Sequence, residues 1–137
     1  MTVRIISDST TDVTPETARQ LKISVVALKV LFGHDEYRDG IDLNIEEFYA
    51  KLTGSGQLPT TSQPSPNDFL TEYEKAKAAG EEILALTLSS QLSGTCHSAL
   101  LAMDYCEYET IYIVDGLSAS IGTQLILRET VRMRVAG

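Results

Sequence analysis

The segment Leu86-Thr-Leu-Ser-Ser-Gln-Leu-Ser-Gly-Thr95 joins a short apolar run to a segment with helical periodicity. The apolar run at residues 83–88 predicts a buried strand, and the apolar residues between Ala99 and Met103 recur at the spacing of one helix face. The sequence therefore predicts a strand, a polar loop and a helix. That succession is typical of domains built around parallel strands.

Hydroxyl side chains crowd the start of this predicted helix, at Ser89, Ser90, Ser93 and Thr95. The first turn of a helix has backbone N–H groups without intrahelical partners and a partial positive charge. Gly94 permits close approach to the backbone, so the loop suits a small anion such as phosphate, sulfate or carboxylate. A plain helix cap by Ser93 or Thr95 is the alternative. Neither a P-loop nor a dinucleotide-binding glycine motif is present.

Length and charge limit the classes of partner. The 137 residues correspond to one domain with a sizeable core. A formal net charge of −8 and an isoelectric point near 4.6 argue against nucleic acid and anionic membrane surfaces. No apolar run approaches the roughly 20 residues that span a bilayer, so stable membrane insertion is not expected. The N-terminus lacks a signal-peptide pattern, and a cytoplasmic location is the expectation.

The cysteines and histidines indicate neither a disulfide nor a metal site. Cys96 and Cys106 lie in one predicted helix, about 15 Å apart along its axis, which is too far for a disulfide. Both are expected to be buried. His34 and His97 have no partner at metal-ligand spacing, and His97 is expected to be a polar surface or capping residue at the helix start. No metal and no other cofactor is predicted.

The rest of the chain alternates between strands and helices. Strands are predicted at residues 3–6, 23–32, 83–88 and 110–114, and helices at about 15–21, 45–52, 66–80, 96–105 and 120–135. Thr14, Asn44 and Ser65 are predicted N-caps, the last two within capping boxes. Residues 60–65 should be extended because of their prolines, and residues 37–41 form a short strand or an extended turn. The alternation predicts a mostly parallel sheet with helices on both faces.

Polar loops follow three of these strands, at residues 7–12, 89–95 and 115–116. If the strands are parallel, these loops share one edge of the sheet, which is where such sheets bind ligands. Asp8, Asp12 and Asp115 at this edge have two interpretations. Asp8 and Asp12 either bind a metal or act as acid and base in an enzyme, or, like Asp115, they bond loop amides beside a binding site. The absence of an activated nucleophile favours a binding site for an amphiphilic anion.

Several motifs resemble those of the DegV family of bacterial fatty-acid-binding proteins. They occur in the family's order along essentially the whole chain, and they are Asp8-Ser-Thr-Thr-Asp12, Tyr37-Arg-Asp-Gly40, Phe48-Tyr49, Leu58-Pro-Thr-Thr-Ser-Gln-Pro-Ser65 and Leu88-Ser-Ser-Gln-Leu-Ser-Gly-Thr95 with Ser98-Ala99. The resemblance implies a three-layer α/β/α domain with a mostly parallel sheet, in agreement with the alternation of strands and helices.

The same resemblance implies a carrier of long-chain fatty acids without catalytic residues of its own. By analogy with the family, Thr61 and Ser93 would bind the carboxylate, and Ser62 and Gly94 would shape the site. Some family members present the acid to a separate ATP-dependent fatty acid kinase, which forms an acyl-phosphate. A fatty acid and a fatty acid kinase are therefore the expected partners.

The resemblance also implies a second domain that this sequence does not contain. In the family, that domain helps enclose the acyl chain and contributes a histidine to the carboxylate site. Residues 1–137 therefore correspond to a DegV-like N-terminal domain. Without the second domain, the apolar lining of the site would be exposed, and self-association is expected.

The sequence is also compatible with two other functions. The fold resembles domains of dihydroxyacetone kinases, so the chain could be a subunit or relative of an enzyme that binds a small hydroxylated or phosphorylated substrate. Such enzymes bind their substrate through a histidine at a comparable edge, and no suitably placed histidine is evident here. The third interpretation is an interaction module with a disused pocket.

Overall fold

The computed structural model describes residues 2–137, which form seven strands and five α-helices. In chain order the elements are β1 (Val3–Asp8), α1 (Pro15–Leu21), β2 (Ile23–Val26), β3 (Lys29–Phe32), β4 (Asp35–Arg38), α2 (Ile45–Gly54), β5 (Thr60–Ser62), α3 (Pro66–Ala78), β6 (Glu82–Thr87), α4 (Thr95–Cys106), β7 (Ile111–Asp115) and α5 (Ile121–Ala136). A single turn of 3-10 helix, Ser9–Thr11, follows β1. Within the described residues, no helix is both long enough and apolar enough to cross a bilayer.

Three helices begin at the residues that the sequence predicts. The Thr14 hydroxyl accepts a hydrogen bond from the third N–H of α1. At α2, the Asn44 side chain accepts from the Glu47 N–H while the Glu47 carboxylate accepts from the Asn44 N–H. Ser65 and Asp68 form the same reciprocal pair at α3. Side chains of this kind satisfy backbone donors that have no partner inside the helix.

The main sheet has the strand order β2-β1-β6-β7, and all of its strands are parallel. Its side chains alternate between two helical layers. Ile6 and Ala85 pack in one buried cluster with residues of α3 and α4, whereas Ile5 and Leu86 pack in another with Leu127 of α5. Burying an aliphatic side chain of this size contributes about 1.5–3 kcal/mol. The predicted three-layer α/β/α fold with a mostly parallel sheet is confirmed.

The prediction of one strand over residues 23–32 is wrong. The structure divides this stretch into β2, in the main sheet, and β3, in a second sheet with the order β4-β3-β5. Between β2 and β3 the Leu28 N–H donates to the Ser9 hydroxyl at 3.0 Å, a contact with the loop after β1. The continuous apolar composition gave no local sign of this break, because the hydrogen bond depends on a residue 19 positions away.

The second sheet is antiparallel and holds β5 in a fixed register. Thr61 lies opposite Val30, and Ser62 lies opposite Lys29. Val30 and Phe32 form a small buried cluster with Leu43, against which Phe48 of α2 packs. The predicted extended conformation of residues 60–65 is confirmed over β5, and the open interpretation of residues 37–41 resolves into the end of β4 followed by a turn.

Candidate functional site

The loops after β1, β6 and β7 lie at one edge of the main sheet, because these strands are parallel. β1 and β6 are neighbours, and the helices that follow them pack on opposite faces of the sheet. Ligands of open α/β sheets bind at such a position. The loops are joined by hydrogen bonds from Leu88 to Asp8, from Ser90 to Asp115 and from Ser120 to Asp12.

Asp8 is fully buried and bonds loop amides, as one of the two interpretations predicted. Its carboxylate accepts from the Thr10 N–H at 2.9 Å and from the Leu88 N–H at 2.8 Å, and it also accepts from the Thr10 hydroxyl. Burial raises the pKa of Asp8, while these three hydrogen bonds oppose the shift. The carboxylate thereby fastens the end of β1 to the end of β6.

Asp115 also has loop partners. It accepts hydrogen bonds from the Ser90 hydroxyl and from the N–H groups of Ser90 and Leu117, the latter two at 3.1 Å. The Ser90 hydroxyl is the main reason why the pKa of Asp115 lies below its ordinary value. Hydrogen bonds within the loops therefore account for the orientation of this carboxylate.

The N-terminus of α4 has no side-chain cap. Gly94 occupies the N-cap position, so neither Ser93 nor Thr95 is the cap residue that the alternative interpretation proposed. The Ser93 hydroxyl instead accepts from the Thr95 N–H at 3.3 Å and lies 2.9 Å from the Thr95 hydroxyl. A 12-residue helix with an uncapped start and two adjacent hydroxyls has the donors that an anion requires.

The end of β5 lies against this helix start through Gln63. The Gln63 Oε1 atom is only 2.0 Å from the position that a Cβ atom on Gly94 would occupy. The Gln63 Nε2 group donates to the buried Ser98 hydroxyl of α4 at 3.4 Å. The structure therefore brings the segment that contains Thr61 to the start of α4.

The four residues predicted for the site differ in exposure. Thr61 and Ser62 are exposed on β5, whereas Ser93 and Gly94 are half-buried before α4. No hydrogen bond joins Thr61 to Ser93, and the Ser93 hydroxyl is paired with Thr95. The two segments meet through Gln63, a residue that the sequence interpretation did not include. Its position beside Pro64, two residues after Thr61 in an extended stretch, was the available signal.

A separate cleft of about 810 Å³ lies between α1 and the start of α2. Its apolar walls include Val13, Ala18, Val25, Ala27, Ile41 and Ile45, and neither Thr61 nor Ser93 lines it. Asp12 and Asp39 are also part of the lining. Burial raises the pKa of Asp39, and the negative charge of Asp12 adds to this shift.

The cysteines and His97 lie as predicted. Cys96 and Cys106 are buried with free thiols, and His97 is exposed on α4. Between residues 2 and 137, no three Cys, His, Asp or Glu side chains are grouped closely enough to hold a metal ion.

Sequence comparison identifies relatives along the whole described chain. A family model described as "Uncharacterised protein, DegV family" matches residues 2–137. A DegV domain-containing protein of Caldanaerobacter subterraneus subsp. tengcongensis is 33% identical over 135 residues, which are 98% of this chain and 48% of the relative. The chain thus spans about half the length of the curated relatives it matches.

Solved structures of similar fold also match almost the entire chain. A Thermotoga maritima protein, described as revealing fatty acid binding function, is 37% identical with a TM-score of 0.87 over 100% of this chain and 50% of its own. The Streptococcus pneumoniae Fatty Acid Kinase (Fak) B3 protein, loaded with linoleic acid, is 26% identical with a TM-score of 0.79 over 97% of this chain and 48% of its own. The resemblance inferred from the motifs is confirmed, and the chain belongs to the DegV family.

Proposed function

We propose that this chain is the N-terminal, carboxylate-binding domain of a fatty-acid carrier. The proposal is based on the contact between the segment after β5 and the start of α4, which Gln63 makes at Gly94. This helix start has no side-chain cap. The fatty acid binding described for the Thermotoga maritima protein supports the choice of ligand.

In this proposal Thr61 and Ser93 donate hydroxyl hydrogen bonds to the carboxylate. The N–H groups of α4 that follow the Thr95 N–H, which is bonded to Ser93, face the same charge. Ser62 and Gly94 shape the site, Gly94 by leaving room beside the backbone. A hydrogen bond to a charged group contributes about 1.5–3 kcal/mol. The donors are neutral, so the partial positive charge at the start of α4 is the main electrostatic attraction.

Most of the binding free energy would come from the acyl chain. At about 0.8 kcal/mol per buried CH₂ group, a sixteen-carbon chain contributes on the order of 12 kcal/mol before costs. Association costs about 4–15 kcal/mol. A groove that covers only half of the chain would therefore leave little net affinity. For this reason, a second domain that encloses the acyl chain is part of the proposal.

The proposed role is carriage rather than catalysis. Asp8 and Asp115 are engaged in loop hydrogen bonds, which leaves no free acid–base pair between them. The Streptococcus pneumoniae relative is described as a fatty acid kinase B3 protein, and this supports presentation of the acid to a separate kinase. Transfer to an ATP-dependent kinase would take place in the cytoplasm.

The carboxylate assignment is tested by Thr61→Ala and Ser93→Ala. Each variant should bind palmitate at least tenfold more weakly, the equivalent of one lost charge-assisted hydrogen bond. The affinity is measured by calorimetric titration of the delipidated two-domain carrier that contains this chain. Thr60→Ala is the matched control, because Thr60 precedes Thr61 on β5 and its side chain points to the opposite face.

Two results would contradict the proposal. Unchanged palmitate affinity in both variants would remove Thr61 and Ser93 from the site. Mass spectrometry of an organic extract provides the independent check, because a carrier purifies with fatty acid. A phosphorylated sugar in the extract, with no lipid, would instead support the alternative of a relative of dihydroxyacetone kinases.

A further inference from the structure

The space beside Gly94 is occupied by the end of the Gln63 side chain, and the backbone conformation at position 94 does not demand glycine. Its φ of −76° is accessible to any amino acid, unlike the φ of +62° at Gly33. A Cβ atom at position 94 would instead lie 2.0 Å from Oε1 and 2.6 Å from Cδ of Gln63. The missing side chain of Gly94 therefore makes the space that the Gln63 amide fills.

The other end of the Gln63 amide is also held. Its Nε2 group donates to Ser98, whose hydroxyl-bearing side chain is buried one turn into α4. Pro64 is buried and biases Gln63 towards an extended conformation. Gln63 is thus restrained by its backbone on one side and by α4 on the other.

We propose that Gln63 is a positioning residue that sets the separation between Thr61 and the Ser93 turn. The proposal rests on the function proposed above. Side chains two residues apart in an extended segment point to the same side, about 6.5 Å from each other. The contact of the Gln63 amide with Gly94 therefore determines where the Thr61 hydroxyl lies relative to α4. Gln63 acts on the carboxylate through Thr61 and Ser93.

A second possible role for Gln63 predicts the opposite change in fatty acid affinity. The Gln63 Oε1 atom carries partial negative charge beside a helix N-terminus, so it could instead occupy the place of a carboxylate oxygen. Removing such a placeholder would strengthen fatty acid binding. Removing a positioning residue weakens it, so the sign of the change separates the two roles.

The test is a double-mutant cycle of Gln63→Ala and Gly94→Ala, measured by palmitate titration. The Cβ atom that Gly94→Ala introduces would displace the Gln63 amide, so each single variant should lose about tenfold in affinity. The double variant should lose no more than either single variant, because both changes remove the same contact. Losses that multiply, or tighter binding by Gln63→Ala, would overturn the proposal.

Gln57→Ala is the matched control. The Gln57 Oε1 atom lies 3.0 Å from the Cβ position of Gly33, so the same amide-on-glycine contact occurs away from α4. This variant should retain the palmitate affinity of the wild type. Binding of hexadecanol, which has no carboxylate, should be unchanged in all four variants; a parallel loss of hexadecanol affinity would indicate general unfolding and overturn the positioning role.

A second readout does not depend on lipid binding. In the ligand-free chain, Gln63→Ala and Gly94→Ala should each shift the amide NMR resonances of both Thr61 and Ser93. If these resonances do not move, the positioning role is wrong even if the chain binds fatty acid. If they move but the two-domain carrier that contains this chain binds no fatty acid, the contact is confirmed and the proposed function fails.

Discussion

Asp8 is a single buried carboxylate on which two strand ends depend. It connects β1 to the Leu88 N–H beyond β6 and also caps the 3-10 turn through the Thr10 N–H. Replacing a buried acceptor leaves its donors unsatisfied, at a cost of about 1–3 kcal/mol. Asp8 therefore contributes to the geometry of the edge on which the proposed site is built.

The raised pKa of Asp8 predicts a specific pH dependence. A carboxyl whose pKa rises on folding binds its proton more tightly in the folded state. Its contribution to the free energy of unfolding is complete below the ordinary value of 3.8 and is lost as the pH rises through the raised pKa. The free energy of unfolding of Asp8→Asn, relative to that of the wild type, should therefore increase as the pH rises from 3.8 through the raised pKa of Asp8.

Urea denaturation at about pH 3.5 and pH 7 measures this difference. Asp115→Asn is the control of opposite sign, because the pKa of Asp115 is lowered on folding. The contribution of Asp115 is present above its ordinary pKa and is lost at low pH, so its variant should lose stability relative to the wild type as the pH rises. If both variants showed the same pH dependence, the opposite pKa shifts of Asp8 and Asp115 would be contradicted.

Helix α3 links the β5 segment to the core. It begins at Pro66, shortly after the end of β5, and its buried Phe69, Tyr73 and Ala76 pack with α4 and the main sheet. Pairing with β3 and the start of α3 therefore restrain the two ends of this segment, and the contact of Gln63 with Gly94 adds a restraint towards α4. The β5 segment thus lies between two anchored elements, β3 and α3.

The capping box at α3 gives the prediction for this element. Ser65→Ala removes the hydroxyl that accepts from the Asp68 N–H, so the free energy of unfolding should fall by about 1 kcal/mol. Chemical denaturation measures the loss. Ser55→Ala, at the exposed C-terminal end of α2, should change stability by less than about 0.5 kcal/mol. A loss at position 65 no larger than at position 55 would show that the cap does not limit stability.

Across the whole molecule, apolar side chains remain exposed beside β7 and along α5. Val114 is 41%, Leu117 75%, Ile121 61% and Leu125 63% exposed. β7 is also an edge strand of the main sheet, with one side unpaired. The net charge of −8 opposes contact between copies of the chain. Apolar burial and charge repulsion therefore act in opposite directions on self-association.

Sedimentation velocity should detect self-association that increases with salt, because roughly 1 M salt shortens the Debye length to about 3 Å. Leu125→Lys should reduce it by placing a charge in the apolar region. Arg128→Lys, on the same helix, conserves charge and should leave self-association unchanged. A monomer at high protein and salt concentrations would contradict the prediction.

Local signals in the sequence were sufficient to predict most helices and strands, and also the sheet edge at which the loops meet. Alternating apolar patterns, the caps at Thr14, Asn44 and Ser65, and the extended stretch before Pro66 depend on residues only a few positions apart. The parallel order of β1, β6 and β7 then follows from the alternation of strands and helices.

Tertiary structure alone decided the features that join distant parts of the chain. The break between β2 and β3 depends on a hydrogen bond to Ser9. The contact of the β5 segment with α4 depends on Gly94, which lies 31 positions after Gln63. A glycine that serves packing has the same local appearance as one that serves a turn. The sequence by itself therefore determined the layers and the polar edge, whereas only the folded chain decided which residues meet there, because those contacts depend on pairing between segments far apart in sequence.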